Sequence, residues 1–208
     1  MSEGSPDTGF NAFRRGHAAP PRCPGCGLRV PACLCATIVP HPARTRVVLI
    51  THHAERRKST NTGRLVARAI EGAEVRVRGE RDAEPRPALP EGRLLLLFPH
   101  PEARVLTADD ARGAPVVLLV PDGTWNQARR ILRRDPDARA AEPVMLPPGA
   151  PSRYGLRRAP REGTVSTLEA VARALAVLEP DGEAIERALM AILDTFVERS
   201  DRAAGRMS

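Results

Sequence analysis

Aromatic residues are nearly missing from this chain of 208 residues: one tryptophan, one tyrosine and four phenylalanines make up 3%. That scarcity excludes a stacking surface of the RNA-recognition-motif kind, which spreads rings over a sheet. Cysteine is missing everywhere except positions 23, 26, 33 and 35. Disulfides that staple a fold are spread to close long loops, so the clustering excludes such a framework and points to a metal in a reducing compartment. No apolar run reaches the length of a membrane span. The start, MSEGSPDTGF, has neither the basic head nor the apolar stretch of a secretory signal. The expectation is a cytoplasmic protein with no membrane association, and nothing in the sequence calls for an obligate protein partner.

Lysine is equally scarce: Lys58 is the only one among 32 basic residues, the others being arginine. The formal charge of +7 favours a polyanionic partner, because guanidinium groups make charge-assisted, often bidentate contacts with phosphate. An ordinary basic surface from an arginine-rich coding bias is the plain alternative. A chain this long buries enough apolar surface to need no staples.

What is present is a regular alternation. Residues 1–20 lack periodicity and read as a disordered tail, 21–40 as a small cysteine module, and 41–200 as the main domain. Apolar or β-branched runs at 45–51, 74–77, 93–98, 115–120 and 143–146 predict strands. Helical spacing predicts helices over 61–70, 124–134, 166–178 and 183–199, the third opening on Ser166 and Glu169 at capping-box distance. Residues 79–92, with three prolines, read as loop. Strands alternating with helices imply an α/β fold with a mainly parallel sheet.

The spacing C-x2-C-x6-C-x-C at Cys23, Cys26, Cys33 and Cys35 begins with the turn CPGCG. Its glycines let backbone amides point at the first thiolates, as in a zinc knuckle. Four thiolates close a tetrahedral structural zinc site with no open position for catalysis. An iron–sulfur cluster accepts the same donor set.

Chemistry gathers at the strand ends. In a parallel sheet ligands collect outside the carboxyl ends of the strands, and PVVLLV runs directly into PDGTW. Asp122 is placed to act as a base or to orient a polar group, Thr124 to hydrogen bond, and Trp125 to offer a flat face to a nucleobase. The plain reading is that Asp122 or Thr124 caps the next helix while Trp125 joins the core. Two further polar clusters, HHAERRKSTNTGR at 52–64 and RYGLRRAPREGTVST at 153–167, also stand at strand-to-helix junctions. Helix N-termini there suit a carboxylate or a phosphate.

PDGTW resembles the D-x-T-W signature of the DTW-domain proteins, and the other blocks follow in the same order: Cys23–Cys35, His52–Arg64 and Tyr154–Ala170. The resemblance spans roughly residues 22–200. His53 stands where a proline is usual after the histidine, and TVST replaces a leucine-containing lead-in. The resemblance implies an α/β fold similar to the SPOUT-like knotted sheets, with the knot left open. It also implies a tRNA-uridine aminocarboxypropyltransferase. Such enzymes transfer the 3-amino-3-carboxypropyl group of S-adenosylmethionine to uridine N3 in tRNA, in bacteria usually in the variable loop, and release methylthioadenosine.

Carried onto this chain, that chemistry makes Asp122 the base or an orienting group for uridine N3. Trp125 stacks on adenine or on the extruded uridine, and Arg64 or Arg157 clamps the donor carboxylate. Thr60, Asn61, Thr62, Gly63, Thr124, Tyr154, Ser166, Thr167 and Glu169 complete the donor site. Two rivals are a SPOUT-type RNA methyltransferase using the same donor and a zinc-containing RNA-binding module without catalysis.

Overall fold

The computed structural model describes residues 20–79, 87–156 and 164–205. Residues 1–19 of the N-terminal tail, residues 80–86 of the proline-rich loop and Arg157 therefore lie outside the described residues.

The chain runs β1 (Arg46–His52), α1 (His53–Arg56), α2 (Gly63–Ala69), β2 (Glu74–Arg78), β3 (Arg93–Leu97) and β4 (Arg104–Val105). It continues through β5 (Val116–Asp122), α3 (Trp125–Arg134), α4 (Pro136–Ala140), β6 (Glu142–Met145), α5 (Thr167–Leu178) and α6 (Gly182–Ala203). The described strands form one six-stranded sheet in the order β2-β1-β5-β3-β6-β4, and every pairing is parallel. The expectation of a parallel α/β sheet is met.

Alternate side chains of each strand feed two cores. Val47, Leu49, Leu95, Leu118, Val120 and Val144 face α2, α5 and α6. Val48, Ile50, Leu96, Val117 and Leu119 face Ala128 and Ile131 of α3 and Ala138 of α4. Cys26, Leu28 and Leu34 of the cysteine segment belong to the first of these cores. Arg199 of α6 donates to the carbonyls of Cys33 (2.7 Å) and Ala32 (3.3 Å). At the other end of the sheet, Glu179 accepts the backbone amides of Arg44 (3.0 Å) and Thr45 (2.8 Å), fixing the entry to β1.

Several boundaries differ from the sequence pattern for identifiable reasons. β5 runs two residues past its apolar stretch, so Pro121 and Asp122 pair with Ile50 and Thr51. Pro121 is tolerated because β3 pairs only as far as Leu119, leaving no neighbour there that needs an amide donor. α2 begins at Gly63, because Asn61 is turned to other uses. Asp135 ends α3 and caps α4 by accepting the amide of Ala138 at 3.0 Å, with Pro136 in the first turn. In β2 the apolar and charged positions are inverted: Val75 is 44% exposed while Arg76 is 6% exposed. The Arg76 guanidinium is satisfied by Glu74 (2.9 Å) and by the carbonyls of Pro87 (3.1 Å) and Ala88 (2.9 Å). β4 and α4 are too short to carry a periodicity.

Phe196 of α6 is fully buried at the centre of the first core. Phe196→Ala is expected to cost about 3–5 kcal/mol, read in urea denaturation as a lower midpoint with an unchanged m value.

Candidate active site

β5 enters the sheet between β1 and β3, which precede it in the chain. The carboxyl ends of β1 and β5 therefore lie side by side, with Thr51 directly opposite Asp122. Above them opens a cavity of about 490 Å³, within the usual range for small-molecule sites. Its lining comes from three segments: Glu55, Thr60, Asn61 and Thr62; Asp122, Gly123, Thr124, Trp125, Asn126 and Arg129; and Ser152, Tyr154 and residues 164–167. The three polar clusters of the sequence thus meet at one place.

Asp122 is the centre. Only 2% of it is exposed, yet its carboxylate accepts three hydrogen bonds. Thr51 Oγ1 (3.0 Å) and Asn61 Nδ2 (2.7 Å) donate to Oδ2, and Thr167 Oγ1 (2.8 Å) donates to Oδ1. Burial pushes its pKa up, and the three donors counter that only in part. Asn61 uses both ends of its amide: while Nδ2 holds Asp122, Oδ1 accepts the first-turn amide of Arg64 in α2 at 3.1 Å. Thr62 Oγ1 accepts the Leu168 amide (3.3 Å), tying α2 to the start of α5.

The helix cap after β5 is Thr124, not Asp122: Thr124 Oγ1 accepts the Gln127 amide, and Gln127 Oε1 accepts the Thr124 amide. Trp125 serves the core and the cavity together. Its ring lies 5.0 Å from that of Phe98 at 55°, and it also lines the open space. α3 and α5 both begin at this cavity, so their first-turn amides add positive potential to it. Tyr154 donates its hydroxyl to the Thr60 carbonyl and joins the third segment to the first.

Three predicted donor-site residues stand elsewhere. Arg64 does not line this cavity. It donates to the carbonyls of Arg56 (2.6 Å) and Lys58 (3.1 Å) and lines a second cleft, between α2 and the cysteine segment. Glu169 is fully buried, with both oxygens occupied by Ser152 Oγ and by the amides of Arg153 and Ser166, each at 2.7 Å. It closes the capping box of α5 and pins residues 152–154 beside the cavity. Gly63 lies beneath Asp122. Thr60, Asn61, Thr62, Thr124, Trp125, Tyr154, Ser166 and Thr167 do line the cavity.

Sequence reasoning placed Glu55 in the first polar cluster without giving it a role, and it missed Thr51, Asn126, Arg129 and Ser152. The signal for Thr51 was a hydroxyl closing an otherwise apolar strand. Glu55 is buried and paired with Lys58 at 3.0 Å. His52 caps α1 through Nδ1 (3.3 Å to the Ala54 amide), and burial lowers its pKa, so its ring is neutral with Nδ1 as acceptor.

The four cysteine sulfurs lie within 4.8 Å of one another and could hold a metal ion. Cys23 is 3.3 Å from Cys33 and 3.6 Å from Cys35, and Cys26 is 3.8 Å from Cys33. A tetrahedron with zinc–sulfur bonds of about 2.3 Å has edges of about 3.8 Å, so the donor set fits. Gly27, at φ 80°, supplies the left-handed turn of the knuckle. The Cys26 amide is the main cause that brings the Cys23 thiol down to about 6, whereas burial and the adjacent thiols push Cys35 up to about 12.

A Cβ on Gly63 would lie 2.7 Å from Asp122 Oδ2 and 2.8 Å from Cγ. Alanine ordinarily improves a helix over glycine by about 0.5–1 kcal/mol. Here the close approach reverses the sign. Gly63→Ala is expected to destabilise by about 1–3 kcal/mol, and a raised melting temperature would show that the carboxylate has room to move.

Comparison with known proteins gives this geometry a family. The family model of the DTW domain matches residues 20–201. The chain is 33% identical over 168 residues to tRNA-uridine aminocarboxypropyltransferase 2 of Drosophila melanogaster, covering 76% of this chain and 66% of that protein. It is 31% identical to the Macaca fascicularis protein of the same name (83% and 62%) and 28% identical to tRNA-uridine aminocarboxypropyltransferase A of Arabidopsis thaliana (84% and 79%). The chain thus spans a little under two thirds of the length of the first two relatives. No solved structure matches it at a significant level. With the signature Asp122, Thr124 and Trp125 lining the cavity and the match running through nearly all described residues, the chain belongs to the DTW-domain family.

Proposed function

We propose that the cavity around Asp122 is the active site of a tRNA-uridine aminocarboxypropyltransferase that uses S-adenosylmethionine. The observation that carries this reading is a buried carboxylate, held by Thr51, Asn61 and Thr167, on the floor of a cavity flanked by two helix N-termini and a tryptophan. Family membership and the names of the relatives support the same reaction. The implied kinship with SPOUT-like folds belongs to the proposal, supported by the parallel sheet and a site at its carboxyl ends. A cytoplasmic setting belongs to the same reading, supported by the gathering of all four cysteines in one metal-ligand array.

The donor sulfonium carries three carbon substituents, and which one leaves is decided by orientation. Thr60, Thr62, Ser166 and Thr167 supply hydroxyls for its polar groups, and the α5 N-terminus favours its carboxylate. Trp125 presents a ring beside the cavity for adenine or uracil. Uridine N3–H is too weakly acidic to react unaided at neutral pH, and Asp122 accepts that proton. N3 then forms its bond to the aminocarboxypropyl carbon as the carbon–sulfur bond breaks, and the electron pair stays on sulfur in methylthioadenosine. A raised pKa makes Asp122 a stronger base than an ordinary aspartate, and the three donors hold it in place without consuming the last acceptor site on Oδ1.

Asp122→Asn tests the base directly. An asparagine oxygen at Oδ2 still accepts from Thr51 and Asn61, and its amide donates to Thr167 once that hydroxyl turns. The fold should therefore survive. The sign of the shift supports this: a carboxyl whose pKa is raised on folding loses stabilising effect as pH rises through that value, so the ionised group costs stability at neutral pH. The variant is expected to keep its melting temperature while single-turnover transfer falls by about two to four orders of magnitude. In the parent protein activity should fall on acidification above the ordinary carboxylate range. Near-parental transfer by the variant sinks the assignment, and a product heavier by a methyl group sinks the choice of reaction.

The cysteine cluster is read as one structural zinc. Elemental analysis should give close to one zinc per chain, with no visible absorbance. Iron with a visible chromophore would replace zinc by a cluster.

A further inference from the structure

We propose that the cleft between α2 and the cysteine segment is the track that holds the phosphate backbone of the RNA substrate. This rests on the transferase reading, to which it adds the surface that holds the polynucleotide. The cleft has a volume of about 740 Å³, and Arg56, Arg64 and Arg68 line it without a single aspartate or glutamate among the lining residues. Arg64 and Arg68 stand four residues apart and so face the same side of α2.

Arg64 and Arg68 differ from the arginines of the sheet. Arg76, Arg78, Arg93 and Arg104 each face a carboxylate. Arg64 bonds only to carbonyl oxygens, and its Nε is buried with no partner among the described residues. Arg68 is exposed, and its guanidinium lies against Gly25, where a Cβ would come within 2.4 Å of it. Glycine at position 25 therefore lets that planar group rest on the knuckle with its donors along the cleft. No aspartate or glutamate lines the cleft, and the anions that act on Arg64, which are Asp122, Glu55 and the Cys23 and Cys26 thiols, stand outside its lining, so the open face of the cleft favours a polyanion. The apolar Ile38 and exposed Val75 on the same wall suit the ribose face of a strand.

Position relative to the active site decides for RNA. Asn61 lines both the cleft and the Asp122 cavity, and Thr51, which also lines the cleft, donates to Asp122. A strand lying in the cleft thus runs beside the active site and delivers one extruded base into it, as enzymes acting on a base require.

The experiment measures tRNA binding over a range of salt for the full chain, for Arg56→Ala/Arg68→Ala, and for a charge-matched control, Arg187→Ala/Arg202→Ala on α6. Binding of S-adenosylmethionine is measured in parallel by calorimetry. The cleft variant should bind tRNA on the order of tenfold more weakly, with a log–log salt slope shallower by roughly 0.7–0.9 for each phosphate that is no longer neutralised. Donor binding and the control variant should match the parent. Parental tRNA affinity in the cleft variant, or an equal weakening in the control, overturns the track. Loss of donor binding in the cleft variant overturns it by placing these arginines in the donor site. Failure of the parent protein to bind tRNA overturns the transferase reading along with it.

Discussion

A carboxylate removed from water needs donors, and in this protein Asp122 draws them from three distant parts of the chain. Thr51 lies one residue before the end of a strand, Asn61 precedes a helix and Thr167 begins another. None of these bonds is local, so the buried charge is tolerable only when β1, the 60–62 segment and α5 have all arrived. The same bonds shape the cavity, because the residues that satisfy Asp122 also form its walls or flank it. Site and fold are specified together here. The cost of burying the charge gives the site its definition.

β1, β3 and β5 were legible because they are largely buried and composed of valine, leucine and isoleucine, which leaves little else for such runs to be. The convergence of three polar clusters was legible from their common position after strands or before helices. Direction was not. Nothing in TNTGR says that Asn61 turns inward to Asp122 while Arg64, three residues later, points to the opposite side of the segment. Glu169 reads equally as ligand or cap until its oxygens are seen to be taken by Ser152, Arg153 and Ser166. The family resemblance supplied the reaction, which spacing alone could not.

Charge was the least transparent property. The arginine excess suggested a surface for phosphates, yet several arginines are committed to carboxylates of the fold itself. Arg104 and Arg93 bind Asp110 and Glu142 at the β3–β6–β4 edge, and the Arg104 guanidinium holds the Asp110 carboxyl down at about 2. Arg78 is committed to Asp135, and Arg76 to Glu74. A net charge sums over these pairs without saying which members are spent. What distinguishes the α2 cleft is the lack of carboxylates among its lining residues, which only the fold reveals.

The bond between Arg199 and the Cys33 carbonyl joins positions 166 residues apart. A ribosome makes the cysteine segment first and α6 last, and at about 5–20 residues per second that interval lasts on the order of ten seconds or more. Through that time the four thiols have neither α6 to pack against nor the completed core beneath them. Whatever keeps the four thiols from oxidation during synthesis must act before the helix that finally packs beside them exists.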